Sequence, residues 1–309
     1  RKWDTSFPPG GLSCCSNPDC NNTPESECSP ARPRVFCSSL ADWLDNEVPI
    51  EWLADMLDVI RLTPNLDWLL LTKRIGNWES RLKEAQDLAY DDPTGSDLYI
   101  WISEWLDGQP PANVWLGATI VNQLEADRDI PKLLRIPARV RFLSMEPLLG
   151  AVNIERFLRP RQQPNADGFG GAYAPGWTTD FSIIDWVIVG GESGHHARPM
   201  HPDWPRYLRD QCQAAGVPFL FKQWGEIREF DNNDGSTQTI EVVEFSEVAE
   251  SYLAVAENPV FVHPDGRLFK RLEEAPVDEP VRLMEHVGKK RAGRMLDGRT
   301  WTEFPAVAA

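Results

Sequence analysis

The sequence predicts an α/β chain, a partial (β/α) barrel followed by an irregular C-terminal extension. Six short apolar strands, each running into a polar loop, alternate with amphipathic helices between residues 32 and 227, and parallel strands require such crossovers. Each strand runs into polar residues, as if all the carboxyl ends faced one cavity. An open doubly wound sheet also satisfies the alternation, but it gathers its site at a single switch point, so the barrel is favoured.

Taken in order, Arg34 to Cys37 is the first strand and runs into Ser38, Ser39 and Asp42. Glu51 to Leu62 follows, with apolar residues three and four apart as in an amphipathic helix. The second unit is Asp67 to Leu71, ending in Thr72, Lys73 and Arg74, with the helix Trp78 to Leu88 behind it. A polar insertion spans Asp91 to Pro111, and within it Leu98 to Leu106 reads as a short helix. Val114 to Ala118 ends in Thr119 and Asn122, and its helix, Asn122 to Leu134, closes before Pro137. Val140 to Leu143 ends in Ser144 and Glu146. Arg159 to Thr179 is rich in Gly and Pro and reads as a loop or lid.

The fifth strand, Trp186 to Val189, is too short for a helix and too continuously apolar for a half-exposed strand. It breaks into Gly190 and Gly191, which permit close backbone approach, then Glu192, Ser193, His195, His196 and Arg198. Trp204 to Ala215 is its helix. Pro218 to Phe221 is the sixth strand, ending in Lys222, Gln223 and Trp224. Beyond it, Glu226 to Glu274 is acidic with β-prone pieces at Ile240 to Phe245 and Pro259 to His263, and Asp265-Gly266 suits a hairpin turn. The expected divisions are therefore 1–31, a Cys/Pro-rich segment; 32–227, the barrel; and 228–309, the extension with a basic tail from Val287 to Thr300. Such a run is either a solvated face or a phosphate contact.

A chain of 309 residues, 42% of them hydrophobic, can bury a large core, while a formal net charge of -16 argues against a generic duplex-binding surface. No apolar run reaches the roughly 20 residues that span a bilayer, and no basic-then-apolar leader opens the chain; a cytoplasmic protein is expected. The first residue is Arg1, so the natural start is expected upstream. Of six cysteines, Cys14, Cys15, Cys20 and Cys28 precede residue 31. They read as loop thiols or as a zinc site, although no Cys-x-x-Cys pair is present.

At the strand ends, Glu146 and Glu192 can act as acid or base or bind an ammonium, and Lys222 joins them as a candidate catalytic group. Lys73, Arg74 and Arg198 suit a carboxylate or phosphate, and Asn122 is placed with them as substrate-binding. The bland reading is that these charges pair as structural salt bridges. His195, His196 and His201 rank below the carboxylates as metal ligands. The glycine loop matches neither a phosphate-binding loop nor a nucleophile elbow.

Seven blocks carry a resemblance: Arg34-Val-Phe-Cys-Ser-Ser-Leu-Ala-Asp42, Asp67-Trp-Leu-Leu-Leu-Thr-Lys-Arg74, Asn113-Val-Trp-Leu-Gly-Ala-Thr119, Arg141-Phe-Leu-Ser-Met-Glu-Pro-Leu148, Trp186-Val-Ile-Val-Gly-Gly-Glu-Ser193, Phe221-Lys-Gln-Trp-Gly225 and Gly288-Lys-Lys-Arg-Ala-Gly-Arg294. In this order they resemble the phage gp-thirty-seven/gp-sixty-eight family, proteins of phages and bacteria with a radical-SAM-like barrel. The resemblance implies a [4Fe–4S] cluster on three cysteines, with S-adenosylmethionine at the iron left open. It places Gly190, Gly191, Glu192 and Ser144 at the cofactor, with Glu192 near its amine.

The family's cluster segment ends in a Cys-x-x-Cys-Tyr-Ala-like sequence, which Cys14, Cys15, Cys20 and Cys28 do not match. The resemblance thus assigns no metal ligand in this chain, whose cluster segment lies upstream or has been lost. The expected function is a radical-SAM-like enzyme acting on nucleic acid or a nucleotide. The alternative is a cluster-free nucleotide-binding or partner module of a phage or defence system, with no membrane partner.

Overall fold

The structure, a computed structural model, describes residues 32–37, 41–91, 95–158, 183–230, 239–240, 253, 256–276 and 280–306. Six strands, β1 (Arg34–Cys37), β2 (Asp67–Thr72), β3 (Val114–Thr119), β4 (Val140–Met145), β5 (Trp186–Gly190) and β6 (Phe219–Gln223), pair in parallel in the order in which they occur. An order without reversal has no switch point, and crossovers of one hand then put the helices on one face. The sheet curls into a half-barrel. Among the described residues β1 and β6 do not pair, so the curl stays open.

The helices are α1 (Ile50–Leu62), α2 (Trp78–Asp91), α3 (Ser96–Leu106), α4 (Gln123–Arg135), α5 (Glu155–Leu158) and α6 (Asp203–Ala215). Strand alternation divides the core in two. Leu70, Val114, Leu116, Leu143, Val187 and Phe219 join the helices outside, whereas Leu69, Trp115, Val140, Phe142, Trp186 and Ile188 pack together on the concave face. Each such side chain contributes about 1.5–3 kcal/mol on burial. Phe142 lies so close over β3 that a Cβ on Gly117 would fall 2.3 Å from its ring.

The expected insertion at 91–111 is part of the core. Leu98, Ile102 and Trp105 of α3 are buried, and Trp105 meets Trp78 and Trp101 edge-on. Its spacing of three and four residues gives α3 a continuous apolar stripe, which outweighs the flanking polar residues. The Gly/Pro-rich stretch expected as a lid, Arg159 to Thr179, lies outside the described residues, as do Ser38, Ser39 and the early cysteines.

The C-terminal extension is ordered where it is described. Strands β7 (Ile227–Glu229), β8 (Thr239–Ile240), β9 (Val260–Val262), β10 (Leu268–Phe269) and β11 (Val281–His286) form an antiparallel sheet. The expected Asp265-Gly266 turn joins β9 to β10, with Gly266 at φ +94. This sheet is locked to α6 by charge: Arg206 reaches Glu229 at 2.9 Å, and Arg282 reaches Asp203 at 3.2 Å.

A short helix, α7 (Lys289–Ala292), and a hairpin of β12 (Met295–Leu296) and β13 (Arg299–Thr300) then lead the chain back to the half-barrel. There Thr302 bridges Leu220, the Glu303 carboxylate accepts from the Phe219 N–H, and the Phe304 ring packs at a tilt on Trp186, ring centres 4.8 Å apart. The tail thus covers the β6 edge, a role the sequence reading did not anticipate.

Candidate functional site

The carboxyl ends of β4, β5 and β6 bring together Ser144, Glu146, Gly190 and Lys222. Ser144 is buried on β4 and Gly190 on β5. Glu146 follows β4, just before a cis peptide to Pro147. Its side chain lies over β5: a Cβ on Gly190 would stand only 3.0 Å from its carboxyl carbon. The carboxylate therefore crosses the end of β5 and accepts a hydrogen bond from Lys222 Nζ at 2.8 Å on β6. Gly190 is what leaves the path open. Glu146 is 15% exposed in its side chain and Lys222 56%, so a sheltered acid is paired with an amine that faces solvent.

Gly191 has a different reason for being glycine. A Cβ there would lie 1.8 Å from the Trp224 carbonyl oxygen, and one on Gly225, which has φ +89, would lie 2.0 Å from the Glu192 carbonyl oxygen. The loops after β5 and β6 are packed backbone to backbone and joined by Gly191 N–H to the Gln223 carbonyl at 2.9 Å and Glu226 N–H to the Glu192 carbonyl at 3.1 Å.

Glu192 does not meet Glu146. Its carboxylate accepts from the Arg198 backbone N–H at 2.7 Å and from the Arg198 guanidinium at 2.8 Å through each oxygen. These bonds hold the Glu192 carboxyl below its ordinary range and raise the Arg198 guanidinium. Lys73 and Arg74 stand at the far side of the sheet. The Asp42 carboxylate accepts from Thr72 Oγ1 at 2.6 Å and Lys73 N–H at 2.7 Å, while Arg74 pairs with Asp42 and Asp45. Asn122 caps α4: its Oδ1 accepts from the Glu125 N–H at 3.0 Å, and Glu125 in turn accepts from the Val121 N–H.

His195 and His196 are stacked with their ring centres 4.7 Å apart in an exposed loop. His201 is buried under α6, and burial holds its imidazole down at about 4. Its Nδ1 accepts from the Asp203 N–H at 3.2 Å.

Sequence reasoning missed Glu226. Its carboxylate accepts from the N–H groups of Gly194 and Lys289 at 3.2 and 3.0 Å, pinning the β5 loop to α7. A lone Glu after a Gly carries no sequence signal for such a role.

The described thiols do not fit an iron–sulfur cluster. Cys37 Sγ contacts Met56 Sδ at 3.8 Å, and Cys212 is buried behind the sheet, where desolvation pushes its thiol up to about 12 and keeps it protonated. Among the described residues no group of three or more His, Cys, Asp or Glu is placed to hold a metal ion, and no helix is long and apolar enough to cross a membrane.

No curated protein and no solved structure matches the chain. One family model does, over residues 16–305. The chain therefore belongs to DUF5131, a family of proteins of unknown function.

Proposed function

We propose that the mouth of the half-barrel is the substrate site of a radical-SAM-like enzyme acting on a nucleotide or nucleic acid. The Glu146–Lys222 pair across Gly190 carries this reading. A nucleotide has groups to match both partners, phosphate oxygens for the Lys222 ammonium and an amine-bearing base edge for the Glu146 carboxylate. The open half-barrel and the seven blocks similar to the phage gp-thirty-seven/gp-sixty-eight family support the enzyme type.

In that type, S-adenosylmethionine on a [4Fe–4S] cluster supplies the radical. The described residues do not fit the cluster, so its thiolates come in this reading from residues outside them. This chain's own groups bind and orient the substrate, with Glu146 able to accept a proton from a bound amine or hydroxyl. A cytoplasmic setting, in which Cys37 and Cys212 stay as thiols, goes with the proposal.

The test is iron, acid-labile sulfide and S-adenosylmethionine binding, measured on anaerobically purified protein beside a version extended to the natural start codon. The enzyme reading expects iron, sulfide and iron-dependent binding in at least the extended form. Their absence from both forms overturns it and favours a cluster-free nucleotide-binding or partner module. That second reading draws on Glu192, whose three bonds to Arg198 leave little acceptor capacity for a cofactor amine. It predicts nucleotide binding without iron.

A further inference from the structure

We propose that the segment Gly288–Arg294, pinned against the β5 and β6 loops, forms a phosphate-binding rim that seats single-stranded nucleic acid at the mouth of the half-barrel. The inference rests on the nucleotide or nucleic-acid reading of that mouth and adds where the strand's backbone is held. Lys289, Lys290 and Arg294 are exposed. Among the described residues no carboxylate lies within ion-pair distance of any of them, whereas their neighbours Arg291 and Arg299 pair with Glu257 and Glu303. A chain with 47 acidic and 31 basic residues offers carboxylates in excess, so three unneutralised cations within six residues form a local field opposed to the overall charge.

Their position is fixed by backbone contacts. Glu226 binds Lys289 N–H and Gly194 N–H with one carboxylate, which ties the start of the basic segment to the loop that carries the stacked rings of His195 and His196. The Trp224 N–H donates to the Gly293 carbonyl at 3.1 Å, and the Trp224 indole N–H to the Met295 carbonyl at 2.8 Å. The Arg294 backbone is therefore held beside Trp224, which follows β6 and lies two residues beyond Lys222. Cations along a rim, with exposed ring faces beside them, are the combination that holds a single strand: charge for the backbone and planes for the bases. The net charge of -16 disfavours the broad contact a duplex needs.

Fluorescence anisotropy with a labelled oligothymidylate about 12 nucleotides long tests the rim. For three neutralised phosphates, log K should fall against log salt with a slope of about -2. K289Q/K290Q/R294Q should flatten that slope and weaken binding by about tenfold or more at low salt. Lys83, Arg135 and Lys270 changed together to Gln remove the same charge elsewhere and should leave binding intact. Lys289→Arg with Lys290→Arg should retain it, which separates charge loss from misfolding.

Equal losses in the two triple Gln variants, an unchanged rim variant, or better competition by polyglutamate than by unlabelled oligonucleotide would overturn the rim. A parallel titration with a mononucleotide keeps the two readings apart. Mononucleotide binding that depends on Glu146, without rim-dependent oligonucleotide binding, leaves the mouth standing and removes the rim; the converse removes the mouth alone.

Discussion

Gly190 and Glu146 show how a single missing methyl can set up a site. Replacing Gly190 by Ala puts a carbon within 3.0 Å of the Glu146 carboxyl, so the acid must swing away from Lys222. We expect Gly190→Ala and Glu146→Gln each to reduce nucleotide affinity by about tenfold or more, the scale of one charge-assisted hydrogen bond, with melting temperature measured alongside to separate binding from folding. A different outcome belongs to His201. Its folded value, about 4 against an ordinary 6.5, is depressed by burial, so its contribution to stability is complete above the unfolded value and is lost as pH falls from there toward the folded one. Urea unfolding should show a loss of ~2 kcal/mol from this group between about pH 7 and pH 5. His201→Asn keeps an acceptor for the Asp203 N–H and removes the titration, so its stability should depend less on pH over that interval.

Among the elements, α4 offers the clearest separation of structural and functional roles. Asn122→Ala should cost about 1 kcal/mol through loss of the cap and leave nucleotide binding unchanged; a selective loss of affinity would instead place Asn122 at the ligand. The six strands and their helices were legible in the sequence because each buried strand is a short apolar run and each helix carries a stripe with its own period. The end of β5 was legible only as a glycine-rich, polar loop. One glycine answers to a side chain just after β4 and the next to a carbonyl after β6, and neither neighbour is close in sequence. The same limit hid the fate of the charges: Glu192 and Arg198 are a local pair, Arg74 serves the β1–β2 connection, and Glu146 alone reaches across to Lys222. The tail was read from its basic residues, yet Phe304 and Glu303 tie it to the sheet, a contact no periodicity announces.

At the scale of the whole molecule, a parallel half-barrel and an antiparallel sheet share a charged seam around Arg206. Glu229 is 5% exposed in its side chain, so Arg206→Met leaves Arg282 as its remaining cation at 3.3 Å. Removing one partner of a buried pair costs about 3–5 kcal/mol, and the second arginine should hold the loss to the lower end of that range, as measured by denaturant unfolding. The return of the tail has a further consequence in time. Trp186 is synthesised more than a hundred residues before the ring of Phe304 that covers it. All six strands are complete at Gln223, well before that covering ring is made, so the concave face stays uncovered while the intervening segment is synthesised. The nascent half-barrel therefore presents an uncovered indole to chaperones until the ring of Phe304 has been made and has folded back over it.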